Sequence, residues 1–167
     1  MANFKEKLNK IKAFAFDFDG VLTNGTITLM PDGEHIRTVN AKDGYAMHQA
    51  VSKGYKITLI TRASSEHIKL HLKEVGITDI YLKSFDKLES LTDFVFSNHI
   101  DFEEVLYMGD DVPDMECMQK CGASTCPADA VHEVRAICDY TSPFKGGEGC
   151  VRDVIEQVLR LHNKWVN

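Results

Sequence analysis

Residues 14–23 read Phe14-Ala15-Phe16-Asp17-Phe18-Asp19-Gly20-Val21-Leu22-Thr23, and this stretch decides the fold. The apolar run that leads into it, from Ile11 to Phe16 with one lysine, is typical of a strand buried on both faces. Asp17 and Asp19 follow that strand two residues apart. Because an unpaired carboxylate is costly to bury, we expect a bound cation there. Hard cations such as Mg²⁺ take oxygen ligands, and ligands of open parallel sheets bind beyond the carboxyl ends of the strands.

Strand-like and helix-like segments alternate along the rest of the chain. Apolar runs predict further strands at 56–61, 79–82, 105–108 and 123–126, and helical spacing predicts helices at 40–54, 64–74, 87–99, 115–120, 130–137 and 150–165. The polar and basic residues 3–10 are expected to be only a lead-in to the first strand. This alternation predicts an α/β fold, a Rossmann-like doubly wound parallel sheet, in a single domain over residues 1–167.

A β-hairpin is predicted directly after the two acids. Residues 24–30 and 35–39 favour strands, and Pro31-Asp32-Gly33-Glu34 between them is a turn sequence. We expect this hairpin to form a flap over the site, and the alternative is an edge hairpin without a function.

Composition limits the possible partners. The formal net charge is −6 and no basic stripe with aromatic residues occurs, which argues against nucleic acid and against an anionic membrane surface. No apolar run approaches the roughly 18 residues of a membrane span, and the N-terminus lacks the apolar core of a signal peptide. The five cysteines form no CxxC pair, so reduced thiols are expected rather than a zinc site. Together these features predict a cytoplasmic protein.

Candidate functional side chains follow four of the predicted strands. They are Asp17 and Asp19 after the first, Thr61 after the second, Lys87 after the third, and Asp110, Asp111 and Asp114 after the fourth. Because the carboxyl ends of parallel strands face one way, we expect these groups to converge. A carboxylate nucleophile, a cation site, groups for phosphate oxygens and an acid for the leaving oxygen are what phosphoryl transfer needs.

The order Asp-x-Asp-Gly-x-x-Thr, Thr, Lys, Gly-Asp-Asp-x-x-Asp resembles the four motifs of the haloacid dehalogenase superfamily of phosphatases, over nearly the whole chain. The resemblance implies that Asp17 attacks phosphorus and forms an aspartyl-phosphate, while Asp19 is the general acid and then the general base. It also implies that Thr61 and Lys87 bind the phosphoryl oxygens.

The same resemblance implies an Mg²⁺ cofactor. Its ligands would be Asp17, the main-chain carbonyl of Asp19, and Asp110. Asp111 and Asp114 would hold or orient these ligands. One position departs from the family pattern, because Arg62 stands where a glycine usually follows the threonine. Arg62 would either crowd the phosphate or add a guanidinium for a phosphate or a carboxylate.

The spacing between motifs leaves no room for a cap domain, because residues 23–43 hold only the hairpin and residues 82–86 hold almost nothing. Within the superfamily the chain resembles the capless 3-deoxy-D-manno-octulosonate 8-phosphate (KDO 8-phosphate) phosphatases. The segments that carry this resemblance are 17–25, 40–45, 86–88, 108–111 and 146–152.

That branch implies a small-molecule substrate, a phosphorylated 3-deoxy-2-ulosonic acid. It also implies a homotetramer in which the 26–39 hairpin lies between subunits. Asp43 and Arg152 are then substrate-binding candidates beside Arg62, with Lys145 and Arg152 placed to meet a substrate carboxylate. The alternatives are a phosphatase of nine-carbon sialic-type acid 9-phosphates, one of broad small-phosphate activity, an inactive homologue, and a non-enzymatic receiver domain.

Overall fold

Seven α-helices, two short 3₁₀-helices and eight strands lie along residues 3–166, which are the residues that this computed structural model describes. The strands are β1 (Ala13–Phe16), β2 (Thr28–Leu29), β3 (His35–Ile36), β4 (Lys56–Ile60), β5 (Asp79–Tyr81), β6 (Val105–Met108), β7 (Ala123–Cys126) and β8 (Tyr140–Thr141). The helices are α1 (Phe4–Leu8), α2 (Ala41–Ser52), α3 (Glu66–Val75), α4 (Lys87–Ser97), α5 (Met115–Lys120), α6 (His132–Ile137) and α7 (Cys150–Leu161).

Six strands form one parallel sheet in the order β5-β4-β1-β6-β7-β8. Strand β1, which leads into Asp17 and Asp19, therefore lies in the interior of the sheet, with Phe16 opposite Leu59 of β4 and Met108 of β6. The doubly wound α/β prediction is confirmed, and no cap domain interrupts the described chain. Strands β2 and β3 form a separate antiparallel pair, the predicted hairpin.

The residue pattern of β1 explains how both faces of the sheet are covered. Phe14 and Phe16 point to one face and stack with ring centroids 6.0 Å apart, in a cluster with residues of α2, α3 and α7. Ala13 and Ala15 point to the other face, in a cluster with residues of α4, α5 and α6. All four side chains are fully buried, so β1 forms the centre of both cores.

Both ends of the described chain differ from the prediction. Residues 4–8 form α1, because Asn3 and Glu6 make a reciprocal capping box at its start. Helix α7 ends at Leu161 and does not continue to Trp165, because the Lys164 and Trp165 amides turn back to the Leu159 carbonyl. The Trp165 side chain thereby packs into the core.

No helix within residues 3–166 combines the length and the apolar character needed to cross a bilayer.

Candidate active site

The predicted side chains converge at the carboxyl edge of the sheet. A cavity of about 280 Å³ lies there, beyond the ends of β1, β4 and β6. We call it the phosphate cavity, and its lining residues are Asp17, Asp19, Gly25, Thr61, Arg62, Ala63, Lys87, Asp110, Asp111, Pro113 and Asp114.

Lys87 is the cation at the centre of this site. Its buried ammonium contacts the Asp17 carboxylate at 2.9 Å and the Asp114 carboxylate at 2.7 Å. Burial by itself would lower the pKa of Lys87, but the two carboxylates outweigh burial and raise it above its usual value. Lys87 therefore stays charged and holds Asp17 in place.

Asp114 is fully buried, and both of its carboxylate oxygens have partners. One oxygen accepts hydrogen bonds from the Tyr107 hydroxyl at 2.8 Å and from Lys87. The other accepts from the main-chain amides of Asp110 and Asp111 at 3.2 and 3.4 Å. Asp114 thus fixes the loop that carries Asp110.

Three carboxylates crowd around the single buried ammonium of Lys87. Asp17, Asp110 and Asp114 each place one carboxylate oxygen within 4.8 Å of the others. The Asp110 Oδ1 atom is buried without a hydrogen-bond partner in the described chain. Burial and then the charge of Asp114 raise the pKa of Asp17, and burial and the charge of Asp17 raise that of Asp110 to about 8. Two crowded carboxylates with a free oxygen fit a divalent cation.

Two glycines allow these groups to approach so closely. Gly20 has φ of +88°, and a Cβ there would collide with the Asp110 carboxylate. A Cβ at Gly109 would collide with the Asp114 side chain. Any larger residue at either position would push apart the acids on which the site depends.

Asp19 is held by a residue that the sequence reasoning missed. The Arg37 guanidinium donates from Nε to Asp19 Oδ1 at 2.7 Å and from Nη2 to Oδ2 at 3.0 Å. Thr23 Oγ1 donates to Asp19 Oδ1 at 3.4 Å and accepts from the amides of Gly20 and Gly25. Arg37 follows β3 as a single basic residue in no recognisable motif, so no signal in the sequence links it to Asp19.

Thr61, Arg62 and Asp111 line the same cavity in different ways. Thr61 is buried, and its hydroxyl accepts from the Ala63 amide at 3.1 Å. Arg62 is exposed, and no carboxylate of residues 3–166 lies within 4.0 Å of its guanidinium. Asp111 is exposed, and its carboxylate caps the Val112 amide at 2.7 Å.

The structure places Asp43 and Arg152 outside the phosphate cavity. Asp43 is buried in α2, accepts a hydrogen bond from the Arg152 amide at 2.8 Å and so caps the start of α7. Burial raises the pKa of Asp43 to about 6. The Arg152 guanidinium lies beside the Tyr45 and Trp165 rings, 5.9 and 5.4 Å from their centroids. Lys145 is exposed and also lies outside the cavity lining.

The loop before α7 touches the loop of residues 17–25 through its main chain. The Gly147 amide donates to the Val21 carbonyl at 2.9 Å, and the Cys150 thiol donates to the same carbonyl at 3.3 Å. A Cβ at Gly146 would collide with the Gly20 carbonyl. The loop therefore braces the backbone behind Asp17 and Asp19.

Comparison with known proteins identifies the family of this chain. Residues 65–154 match the family model of haloacid dehalogenase-like hydrolases. The 3-deoxy-D-manno-octulosonate 8-phosphate phosphatase KdsC of Escherichia coli K12 is 32% identical over 158 residues, which are 95% of this chain and 84% of that protein.

Two solved structures share the fold over almost the whole chain. The Yersinia pestis KDO 8-phosphate phosphatase has a TM-score of 0.94 and 28% identity, with 96% of this chain and 87% of that one covered. The Moraxella catarrhalis phosphatase, solved with magnesium, phosphate and KDO, has a TM-score of 0.92 and 31% identity, with 96% and 92% covered. The chain belongs to the haloacid dehalogenase-like hydrolases.

Proposed function

We propose that this protein is an Mg²⁺-dependent phosphatase that hydrolyses KDO 8-phosphate to KDO and inorganic phosphate. The observation that carries the proposal is the carboxylate of Asp17, which shares one cavity with Lys87 and with the unpartnered oxygen of Asp110. The substrate class rests on the relatives, which are named KDO 8-phosphate phosphatases over nearly the whole length of this chain.

In the proposed reaction Asp17 is the nucleophile. Its carboxylate oxygen attacks phosphorus while the bond between phosphorus and the sugar oxygen breaks. Asp19 gives a proton to that leaving oxygen, so the sugar departs as an alcohol. Water then attacks the phosphorus of the aspartyl-phosphate, Asp19 takes a proton from the water, and the Asp17 carboxylate is regenerated.

The remaining side chains bind and orient. Lys87 opposes the rise in the pKa of Asp17 that burial and Asp114 cause, and it holds the Asp17 carboxylate in the cavity. Lys87 and Thr61 would bind the phosphoryl oxygens. Asp17, Asp110 and the main-chain carbonyl of Asp19 would hold Mg²⁺. When bound, this ion supplies positive charge that offsets the negative charge of the phosphate. Asp114 keeps Asp110 in position, because its carboxylate accepts hydrogen bonds from the main-chain amides of Asp110 and Asp111.

The test is phosphate release with Mg²⁺ from KDO 8-phosphate, from nine-carbon sugar-acid 9-phosphates and from neutral sugar phosphates. We expect KDO 8-phosphate to be preferred, and Asp17→Asn to lose about 10⁴-fold or more in kcat. Preference for a nine-carbon acid would keep the mechanism and replace the substrate. Equal rates for wild type and Asp17→Asn would refute the nucleophile assignment.

We also propose a cytoplasmic homotetramer in which the 26–39 hairpin lies between subunits. Leu29 and Ile36 support this interface, because they are 72% and 50% exposed and belong to neither core cluster. The five free cysteines support a reducing compartment. Light scattering after size exclusion should give a fourfold mass for wild type and a smaller one for Leu29→Asp, and a monomeric wild type would refute the assembly.

A further inference from the structure

A second cavity adjoins the phosphate cavity on the side of the hairpin. It measures about 660 Å³ and shares Asp19, Arg62 and Ala63 with the phosphate cavity. We call it the leaving-group cavity, and its other lining residues are Ile27, Gly33, Glu34, His35, Arg37, Ser64, Ser65, Glu66 and His67. Neither Asp17 nor Lys87 lines it. A phosphate monoester with phosphorus at Asp17 would therefore place its organic part here.

Arg37 occupies both oxygens of Asp19 in this structure, through the two hydrogen bonds of 2.7 and 3.0 Å. The Arg37 side chain is only 8% exposed, whereas that of Asp19 is 27% exposed. A guanidinium fork that donates to both oxygens fixes the orientation of a carboxylate, so this pair keeps the Asp19 carboxylate turned toward Arg37. Asp19 is thus held away from the acid and base steps as long as this pair persists.

We propose that Arg37 is a positioning and specificity residue that releases Asp19 when the carboxylate of the substrate takes its place. This inference rests on the proposed function. A guanidinium fork fits any carboxylate equally well, so the substrate's acid group can replace that of Asp19 without loss of the paired geometry. The freed Asp19 then reaches the leaving oxygen and the attacking water.

The surroundings of Arg37 favour an acid substrate over a neutral one. Arg62 lies in the same cavity without a carboxylate of residues 3–166 within 4.0 Å, so it adds a second positive group. Glu34 and Glu66 also line the cavity, so it is not uniformly positive and does not attract every anion. A neutral sugar phosphate fills the same space but leaves the pair of Arg37 and Asp19 intact.

The decisive variant is Arg37→Gln, measured with KDO 8-phosphate, with arabinose 5-phosphate as a neutral sugar phosphate, and with p-nitrophenyl phosphate. For KDO 8-phosphate we expect kcat/KM to fall by about 100-fold, because the charged partner of the carboxylate is lost. For arabinose 5-phosphate we expect kcat to rise by roughly tenfold, because Asp19 is free from the start. For p-nitrophenyl phosphate, whose leaving group needs no proton, we expect a smaller rise in kcat than for arabinose 5-phosphate, because only the attack of water then uses Asp19.

Opposite effects on the two sugar phosphates distinguish two roles of Arg37. In one role it exchanges the Asp19 carboxylate for that of the substrate, and in the other it only holds Asp19 in place. If Arg37 only held Asp19 in its working position, Arg37→Gln would lower kcat for both, and this result would overturn the proposal. Arg62→Gln is the matched control, because it removes a guanidinium of the same cavity that does not contact Asp19. It should lower kcat/KM for KDO 8-phosphate without raising kcat for arabinose 5-phosphate.

A binding measurement gives a readout without turnover. Calorimetry with KDO alone should show about tenfold weaker binding to Arg37→Gln than to wild type, with Arg37→Lys between them because it keeps the charge but loses the fork. Unchanged affinity would contradict the exchange. A wild type that releases phosphate from no substrate would instead refute the proposed function itself, so the two failures are distinguishable.

Discussion

Replacing Asp110 with asparagine should stabilise the protein in the absence of metal and abolish its activity. The pKa of Asp110 stands at about 8 in the fold, because the group is buried beside Asp17, whereas an unfolded aspartate titrates near 3.9. The folded state therefore holds this proton more tightly than the unfolded state. Stability falls as pH rises from about 4 to about 8, and it is regained on acidification.

The size of the effect follows from the same difference. At about pH 7.5 the difference between the folded and unfolded pKa values of Asp110 corresponds to roughly 5 kcal/mol of stability. The partial solvent exposure of Asp110 reduces this to roughly 2 kcal/mol. For a chain of 167 residues this is a rise in Tm of about 4–8 °C for Asp110→Asn in EDTA. Mg²⁺ should raise the Tm of wild type but not that of the variant, because the variant lacks a ligand.

Differential scanning calorimetry of both proteins, with EDTA and with Mg²⁺, is the assay. Asp111→Asn is the matched control, because Asp111 is the exposed neighbour whose carboxylate caps the Val112 amide. This control should change the free energy of unfolding by at most about 1 kcal/mol, toward lower stability. If Asp110→Asn lowered the Tm in EDTA, the buried Asp110 carboxylate would not cost stability in the absence of metal, and the metal assignment would lose its basis.

Three further predictions concern charge and titration. Lys87→Met should lower the free energy of unfolding by about 3–5 kcal/mol, because Asp17 and Asp114 lose the buried cation that they share. Urea unfolding measures this change, and a loss below about 1 kcal/mol would contradict the pairing. The gain in Tm from Mg²⁺ should grow between about pH 6 and 8.5, because the metal must displace protons from acids whose pKa is raised; a gain independent of pH would count against this. Cys138 should react with iodoacetamide near neutral pH faster than the other thiols, because its hydrogen bond with Cys126, 3.3 Å away, lowers its pKa. The fast phase should vanish in Cys138→Ser, and evenly spread labelling would show the prediction wrong.

Much of the site was predictable because its residues follow strands. An apolar run that ends in two acids indicates a buried strand and its carboxyl end, and parallel pairing brings such ends together. The sequence pattern therefore predicts that four side chains lie near one another, and all four line one cavity: Asp17, Thr61, Lys87 and Asp110.

The contacts that depend on loops were not predictable. Arg37 reaches Asp19 only because the hairpin folds back, and a separation of 18 residues has no periodicity that predicts such a pair. Asp43 lies in a segment that resembles the family, so its substrate role was expected from that resemblance. Its cap on the Arg152 amide spans 109 residues and depends on how α2 packs against α7. The sequence pattern of one helix cannot predict a hydrogen-bond partner that is determined by the packing of two helices.

The contact between the loop before α7 and the loop of residues 17–25 has a consequence for biosynthesis. The Cys150 thiol that contacts the Val21 carbonyl is separated from it by 129 residues. At the usual pace of translation, this interval corresponds to roughly 6–25 seconds. During that time the nascent chain carries Asp17 without the backbone contacts that shape its loop. The loop of Asp17 and Asp19, although it is synthesised early, is thus among the last segments to reach its final conformation. Under the proposed function, a ribosome-bound chain that stops before Gly146 is expected to release no phosphate.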